Sequence, residues 1–420
     1  MAVYQVKRLV RNRAVPFIAP LYEWTIRTSA ARLEAPTSPD QVPLELAIFI
    51  GAFYQHTDDE MLDAARGRFT ILGRTVDFGS IAGIDWSYQQ PDENDGLWRM
   101  KLAQLGILHS LIASGDPAHQ KTAIALLSAL SQSRSFASRD AFAIGWSPYD
   151  ASHRLMALLS GLSIAVDKAS ISNEIRTALE AFAQLDAACL WANIEHEMRN
   201  NHTERNLAAL CFYHLAAGSI SRRRAKLLDR DVAEIISSTV LPDGMQVERS
   251  AMYQGLTVMS LRIFAACPFL STSTRTLASE RADAAASAWL FLTHRDGEIA
   301  LFNDSWIGEV PAPAALLNLD PMKRPAALPS AGYFRISSGS VEAIMDAGQI
   351  GPRWNPAHGH PDFLALEVDV AGRRLVVDPG TSQYSPGPQR AYERSTAAHN
   401  GPTTGVSNLS NTQVVSRSAN

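Results

Sequence analysis

The sequence predicts an α+β multidomain chain of 420 residues, helical hairpins first and an antiparallel β domain after them. Two observations carry this. Apolar residues recur at three- and four-residue spacing from Pro43 to Leu317, and beyond a Pro-rich connector, Pro311 to Pro329, they alternate in short runs. The length exceeds one ordinary core, so a large and a smaller domain are expected: an extension over 1–42, a helical domain over 43–317 and a β domain over 318–420.

The helical stripes are clearest at Leu102, Leu105, Ile107, Leu108 and Leu111, and again at Leu155, Leu158, Leu159 and Leu162. Breaks at Ser114–Pro117, Asp167–Asn173, Gly218–Ser221 and Pro242–Gly244 cut the pattern into successive helical pairs. Strands are expected at Gly332–Ser337, Val341–Asp346, Phe363–Val370 and Arg374–Asp378, with Ala371-Gly372 as a hairpin turn between the last two. An antiparallel sandwich accommodates them. Ser407 to Asn420 reads as the start of a further strand pair, so the sandwich is expected to be shortened.

The formal charge of -4, with both signs mixed along the chain, gives no basic face and no pointer to nucleic acid or an anionic membrane. Cys189, Cys211 and Cys267 lie in apolar helical patterns without C-x-x-C spacing, so buried thiols are expected. The apolar stretch Ala14 to Ile18 is short and holds Pro16, unlike a secretory signal, and no run of about 18 apolar residues is present to span a membrane. A soluble, cytoplasmic protein of unknown oligomeric state is expected.

Three polar clusters are candidates for chemistry. The first, Glu195 to Asn206, holds Asn201 and His202 ahead of the apolar run Leu207 to Leu215; helix capping explains such a cluster as well as catalysis does. His196 and Glu197 read as its solvated face, and it lacks the paired histidines of a helical zinc protease. The second, Asp243 to Tyr253, leads from a turn into a helix bearing Glu248 and Tyr253, where Tyr253 is catalyst or core. The third joins His358-Gly-His360-Pro-Asp362, Asp378-Pro-Gly and Arg394 to Asn400, with enough imidazole and carboxylate for a zinc site, or else ordinary turns. Trp86, Trp98, Trp146, Tyr149, Arg154 and Trp191 suit a carbohydrate groove, since aromatic faces stack on sugars and arginine grips carboxylates, although helical Trp also serves cores.

Taken in order, Phe78–Trp86, Leu97–Leu105, Trp146–Arg154, Asn200–His202, Glu248–Tyr253, His358–Asp362, Asp378–Thr381 and Arg394–Asn400 resemble the heparinase II/III group of polysaccharide lyases. The resemblance implies an N-terminal (α/α) toroid followed by the β-sandwich, with an acidic polysaccharide or oligosaccharide bound in a cleft between them. It implies Asn201 as the amide neutralising a uronate carboxylate, His202 and Tyr253 as the proton-transfer pair, and His358 as a second imidazole of the pocket. Arg154, Trp146, Tyr149, Glu248 and Arg394 would contact substrate, and His360, Asp378 and His399 would hold a structural Zn²⁺. Arg205 departs from some heparin-active relatives, which carry glutamate there, so heparin itself is not the expected substrate.

The expected reaction is β-elimination on a uronate-containing polysaccharide. A non-catalytic glycan-binding or biosynthetic accessory protein on the same scaffold is one alternative. A glycoside hydrolase drawing on Glu195, Glu197, Glu204, Glu248 or Asp304 is another.

Overall fold

The computed structural model describes residues 2–91, 96–138, 141–143, 145–317, 324–384 and 386–403, so the strand pair expected over Ser407 to Asn420 lies outside the described residues. The chain divides into two compact units at places other than 317/318. One comprises Met1–Met198, His202–Val232 and Ala266–Ser271; the other comprises Arg199–Asn201, Ala233–Ala265 and Thr272–Asn420.

The first unit is helical. It contains α1 (Ala2–Ala14), α2 (Ala19–Ala30), α3 (Leu44–Gly51), α4 (Asp58–Ala65), a small hairpin of β1 (Arg68–Ile71) and β2 (Arg74–Asp77), α5 (Leu97–Gln104), α6 (Leu108–Ala113), α7 (Pro117–Ser133), α8 (Pro148–Asp167) and α9 (Asn173–Asn193). Most of α10 (Asn201–Ala217) and the first part of α11 (Arg222–Thr239) follow. The starts are written in the sequence. Asp116 accepts from the amide of Ala118 with Pro117 in the first turn, Ser147 caps α8 ahead of Pro148, and Ser172 caps α9. Thr57 and Glu60 form a reciprocal capping box on α4.

Helix α8 is buried on every side from Pro148 to Ala165 and is packed by α3, α5, α6 and α9. Its Gly161 permits close approach to α6: a Cβ there would sit 2.8 Å from the carbonyl oxygen of His109. His109 is enclosed at this crossing, its Nδ1 2.9 Å from Ser160 Oγ, and burial pushes its pKa down to about 4. All three cysteines are buried free thiols, as expected. No helix among the described residues is long and apolar enough to cross a membrane.

The second unit holds α12 (Ala251–Ala266) up to Ala265, α13 (Thr272–Phe291), α14 (Pro313–Leu317), five strands and α15 (Pro388–Glu393). Strands β3 (Ala327–Leu328), β4 (Tyr333–Ser338), β5 (Val341–Asp346), β6 (Ala365–Val370) and β7 (Arg373–Val376) form one antiparallel sheet in sequential order. Ala371 and Gly372 both have positive φ, 53° and 81°, and join Val370 to Arg373 as the expected two-residue hairpin. Alternation on β6 buries Ala365, Glu367 and Asp369. Glu367 is satisfied there by His294 Nε2 at 2.5 Å and the amide of Leu301 at 2.7 Å.

Candidate active site and metal centre

In the second unit, three loops meet around Glu248. Arg199, Arg249 and Asn303 have φ of 45°, 58° and 59°, left-handed conformations that non-glycine residues rarely take, and they flank Asn201, Glu248 and Asp304 in sequence. Glu248 is 1% exposed and accepts from Asn200 Nδ2 at 3.3 Å, Gln246 Nε2 at 2.7 Å, and the backbone N and Nδ2 of Asn201 at 3.2 and 2.9 Å. It was expected to contact substrate, and its closest partners are all protein donors. Asn201 gives Glu248 one of its two amide N–H groups, and its Oδ1 is buried without a partner among the described residues.

The other carboxylate oxygen of Glu248 lies 3.6 Å from His358 Nε2. His358 Nδ1 lies 2.7 Å from Asp304 Oδ2, so its N–H points to Asp304 and the ring orientation is fixed. The Tyr253 hydroxyl sits 3.5 Å from His358 Nδ1 and 2.7 Å from the Tyr384 hydroxyl, with the rings of Tyr253 and His358 4.7 Å apart. Tyr253 is 5% exposed, but its hydroxyl ends in this polar cluster. The unit thus brings together Asn201, Glu248, Tyr253 and His358 from three segments of the chain.

Asp304 is the buried hub behind them. Arg390 grips it through both terminal nitrogens, at 2.5 and 2.7 Å, and His360 Nε2 lies 2.9 Å from Oδ1. Burial alone would raise its carboxyl pKa, but hydrogen bonds from His358, His360 and Arg390 hold it well below the usual carboxylate range. Sequence reasoning counted Asp304 only as a spare carboxylate and missed Arg390 and Tyr384. The polar triplet Asn303-Asp304-Ser305 between Phe302 and Trp306 was a readable signal; Arg390 gave none.

His360, Asp378 and His399 each offer a ligand atom, and these atoms lie within 4.8 Å of one another, all buried. His360 Nδ1 and His399 Nε2 have no hydrogen-bond partner among the described residues. His360 turns its other nitrogen to Asp304, as metal-bound imidazoles do with a supporting carboxylate, and His399 Nδ1 lies 2.6 Å from Asp378 Oδ2. Burial, then the charges of Asp346 and Asp378, push the Asp362 carboxyl well above its usual range. Two orphaned imidazole nitrogens and a carboxylate suit a divalent ion such as zinc.

His202 belongs to the first unit. Its Nδ1 lies 3.3 Å from both oxygens of Glu195, and its ring stacks on Tyr149 with centroids 4.3 Å apart. Asn206 fixes Glu195, accepting from its amide at 2.9 Å and donating toward Oε2 at 3.4 Å. Glu197, expected in solvent, is buried at 9% exposure.

Three of the residues expected to contact substrate are taken up by partners within the protein. Arg154 is 0% exposed, and its guanidinium is spent on Asp186 and the carbonyls of Ala103 and Gly145. Trp146 is 3% exposed with its ring covered by Phe136 and Arg134, leaving no face for a sugar. Arg394 donates to the carbonyls of Pro356 and Gly359, so it anchors the turn carrying His358. Tyr149 is covered by His202 and is 9% exposed.

Residues 320–418 match the family described as Heparinase II/III-like, C-terminal. No curated relative matches the chain in sequence. Among solved structures the chain is similar to heparinase III, at 16% identity over 84% of this chain and 64% of that one, with a TM-score of 0.61. It is also similar to the heparan sulfate lyase HepC from Pedobacter heparinus, at 18% identity, 91% and 65% coverage and a TM-score of 0.52. A mutant of that enzyme matches over 96% of this chain and 68% of its own length, with a TM-score of 0.53. The chain therefore spans about two thirds of these structures' length. At such identities the likeness shows the fold, the helical toroid and β-sandwich of heparinase III.

Proposed function

From a chain of the heparinase II/III-like family on the heparinase III fold, we propose a polysaccharide lyase that cleaves an acidic, uronate-containing polysaccharide by β-elimination. The observation that supports it is the convergence of Asn201, Tyr253 and His358 on Glu248 and Asp304. The family resemblance adds His202, the residue after Asn201.

Elimination removes the weakly acidic C5 proton of a uronate and expels the 4-linked oxygen, leaving an unsaturated sugar. The ionised carboxylate opposes the carbanion, so a donor that strengthens its hold as charge moves onto the carboxylate lowers the barrier. Asn201 supplies that donor through the amide N–H that Glu248 does not take, with His358 beside it. Tyr253 and His202 divide the proton transfers, one accepting the C5 proton and the other protonating the departing oxygen. Glu248 and Asp304 do not touch substrate in this reading. They hold Asn201 and His358 in place.

His360, Asp378 and His399 would hold zinc as a structural ion, offsetting the buried carboxylates and fixing the turn that presents His358. The reading is tested by incubating the protein with alginate, heparan sulfate, hyaluronan and glucuronan and following the ultraviolet absorbance of the unsaturated product. Product with at least one polymer is expected, and folded protein silent on all four would contradict it.

A further inference from the structure

Helices α1 and α2 of the first unit are held by polar anchors. Arg11 Nη1 and the Tyr22 hydroxyl both donate to Asn193 Oδ1 on α9, at 3.4 and 3.0 Å. The Arg11 guanidinium carbon lies 4.3 Å from the Phe142 ring centre, and the Tyr22 ring meets Phe136 and Phe142 edge-on. Ala19, Ile26 and Ala30 fill out the buried side of α2. Asn193 marks the inner side of both helices.

The side turned away from α9 is apolar and open. Val6, Leu9 and Val10 on α1, Phe17 and Ile18 in the 3-10 turn after it (Val15–Ile18), and Leu21 and Trp24 on α2 are 46 to 85% exposed. Spacings of three, four and seven put Val6, Leu9, Val10 and Arg13 on one face of α1, and a spacing of three does the same for Leu21 and Trp24 on α2. Single exposed apolar residues are ordinary at a surface, but a run of them from Val6 to Trp24 marks a contact face.

Charge decides what covers it. From Ala2 to Tyr22 the sequence carries Lys7, Arg8, Arg11 and Arg13 and no acid, a local excess that the chain's overall charge of -4 hides. Arg13 stands within the apolar stripe of α1, exposed and without an ion-pair partner among the described residues. Glu23, the first acid, is taken by Arg27 at 2.7 Å. A second copy packed on this stripe about a two-fold axis would bury Arg13 beside its own mate with no carboxylate to meet it. Lipid phosphates supply that countercharge, and an arginine stem lies along apolar surface while its head reaches them. At 13 and 12 residues, α1 and α2 are too short to span a bilayer, which takes about 20. We propose that this face rests on an anionic lipid surface, with Phe17, Leu21 and Trp24 in the headgroup and acyl boundary and Arg13 on lipid phosphates. Nothing in this contact depends on the lyase reading.

The test sediments full-length protein with vesicles of phosphatidylglycerol and phosphatidylcholine in equal parts, and separately with vesicles of phosphatidylcholine alone. Binding to the anionic vesicles is expected to be at least about tenfold tighter than to the neutral ones, and weaker with added salt. Phe17→Ser combined with Leu21→Ser, at exposed positions where the melting temperature should not move, weakens it about a hundredfold. Arg13→Glu weakens it about tenfold or more. Brominated lipid in the anionic vesicles quenches Trp24, read as the difference between the parent and Trp24→Phe. Parent protein that leaves both vesicles unbound, equal binding to the two, a double variant that binds as the parent does, or no quenching of Trp24 overturns the proposal. So does a parent that ignores vesicles and self-associates without lipid while the double variant stays a single chain; the face then belongs to a second copy.

Discussion

Glu248 receives both the backbone N–H and the side-chain N–H of Asn201, at 3.2 and 2.9 Å. A carboxylate accepts only, so this pairing fixes which end of the Asn201 amide is nitrogen and where its second N–H points. Glu248→Gln keeps the shape but introduces an NH₂ group among four donors: the amides of Asn200, Gln246 and Asn201 and the Asn201 backbone. Turnover is expected to fall roughly 10- to 100-fold with the fold retained, the scale of a lost preorganised donor. Unsaturated-product formation at saturating polymer measures it, and an unchanged rate would detach Glu248 from the positioning of Asn201.

Asp304 couples His358 to His360, one of the three candidate metal ligands. Asp304→Asn leaves buried Arg390 without its counter-charge, and removing one partner of such a pair costs about 3 kcal/mol or more. A lowered denaturation midpoint and a reduced metal content are expected together. Loss of stability with metal content intact would separate the two networks.

Zinc bound by His360, Asp378 and His399 would add its binding energy to folding. Metal analysis of protein purified without chelator should find about one zinc per chain, the number one such group holds. Removing it, or substituting His399→Ala, should lower the melting temperature by several degrees. A chelated protein that melts unchanged would make the cluster a hydrogen-bonded turn.

Asp150 gives a pH signature. Burial raises its carboxyl pKa from 3.8 to about 6, against the lowering effects of Gln104, Arg154 and Ser147. The folded pKa lies above the unfolded one, so this group's contribution is complete below about pH 4 and is lost as pH rises through about 6. The shift corresponds to roughly 3 kcal/mol as an upper bound. Asp150→Asn should therefore stabilise the protein at pH 8 and leave it little changed near pH 4, read from denaturant midpoints at the two values. Equal effects at both would mean that Asp150 carries no such penalty.

Local chemistry was the legible part of the sequence. The breaks between helices and the Ala371-Gly372 turn act within a few residues, where spacing alone decides, and the caps Asp116 and Ser172 fall within two of those breaks. Candidate metal ligands were legible too, because His360, Asp378 and His399 match a family pattern. What spacing hid was the direction of each charge. Arg154 looked available to substrate, yet Asp186, 32 residues on, consumes it in the core. Glu248 looked like a binding residue, and only the return of the chain to Asn201 reveals the hydrogen bonds its carboxylate accepts. Asp304 became a hub through partners 54 to 86 residues later. Burial and pairing of ionic groups are tertiary properties, and hydrophobic period does not encode them.

The most direct test of the lyase reading compares the parent protein with Tyr253→Phe on a uronate polymer that the parent cleaves. Tyr253 loses only its hydroxyl oxygen, next to His358 and Tyr384, so the fold should survive. Ultraviolet-absorbing product is expected from the parent, and a rate at least about a hundredfold lower from the variant, the scale of a lost general acid or base. A variant that releases unsaturated product at the parent's rate would contradict it.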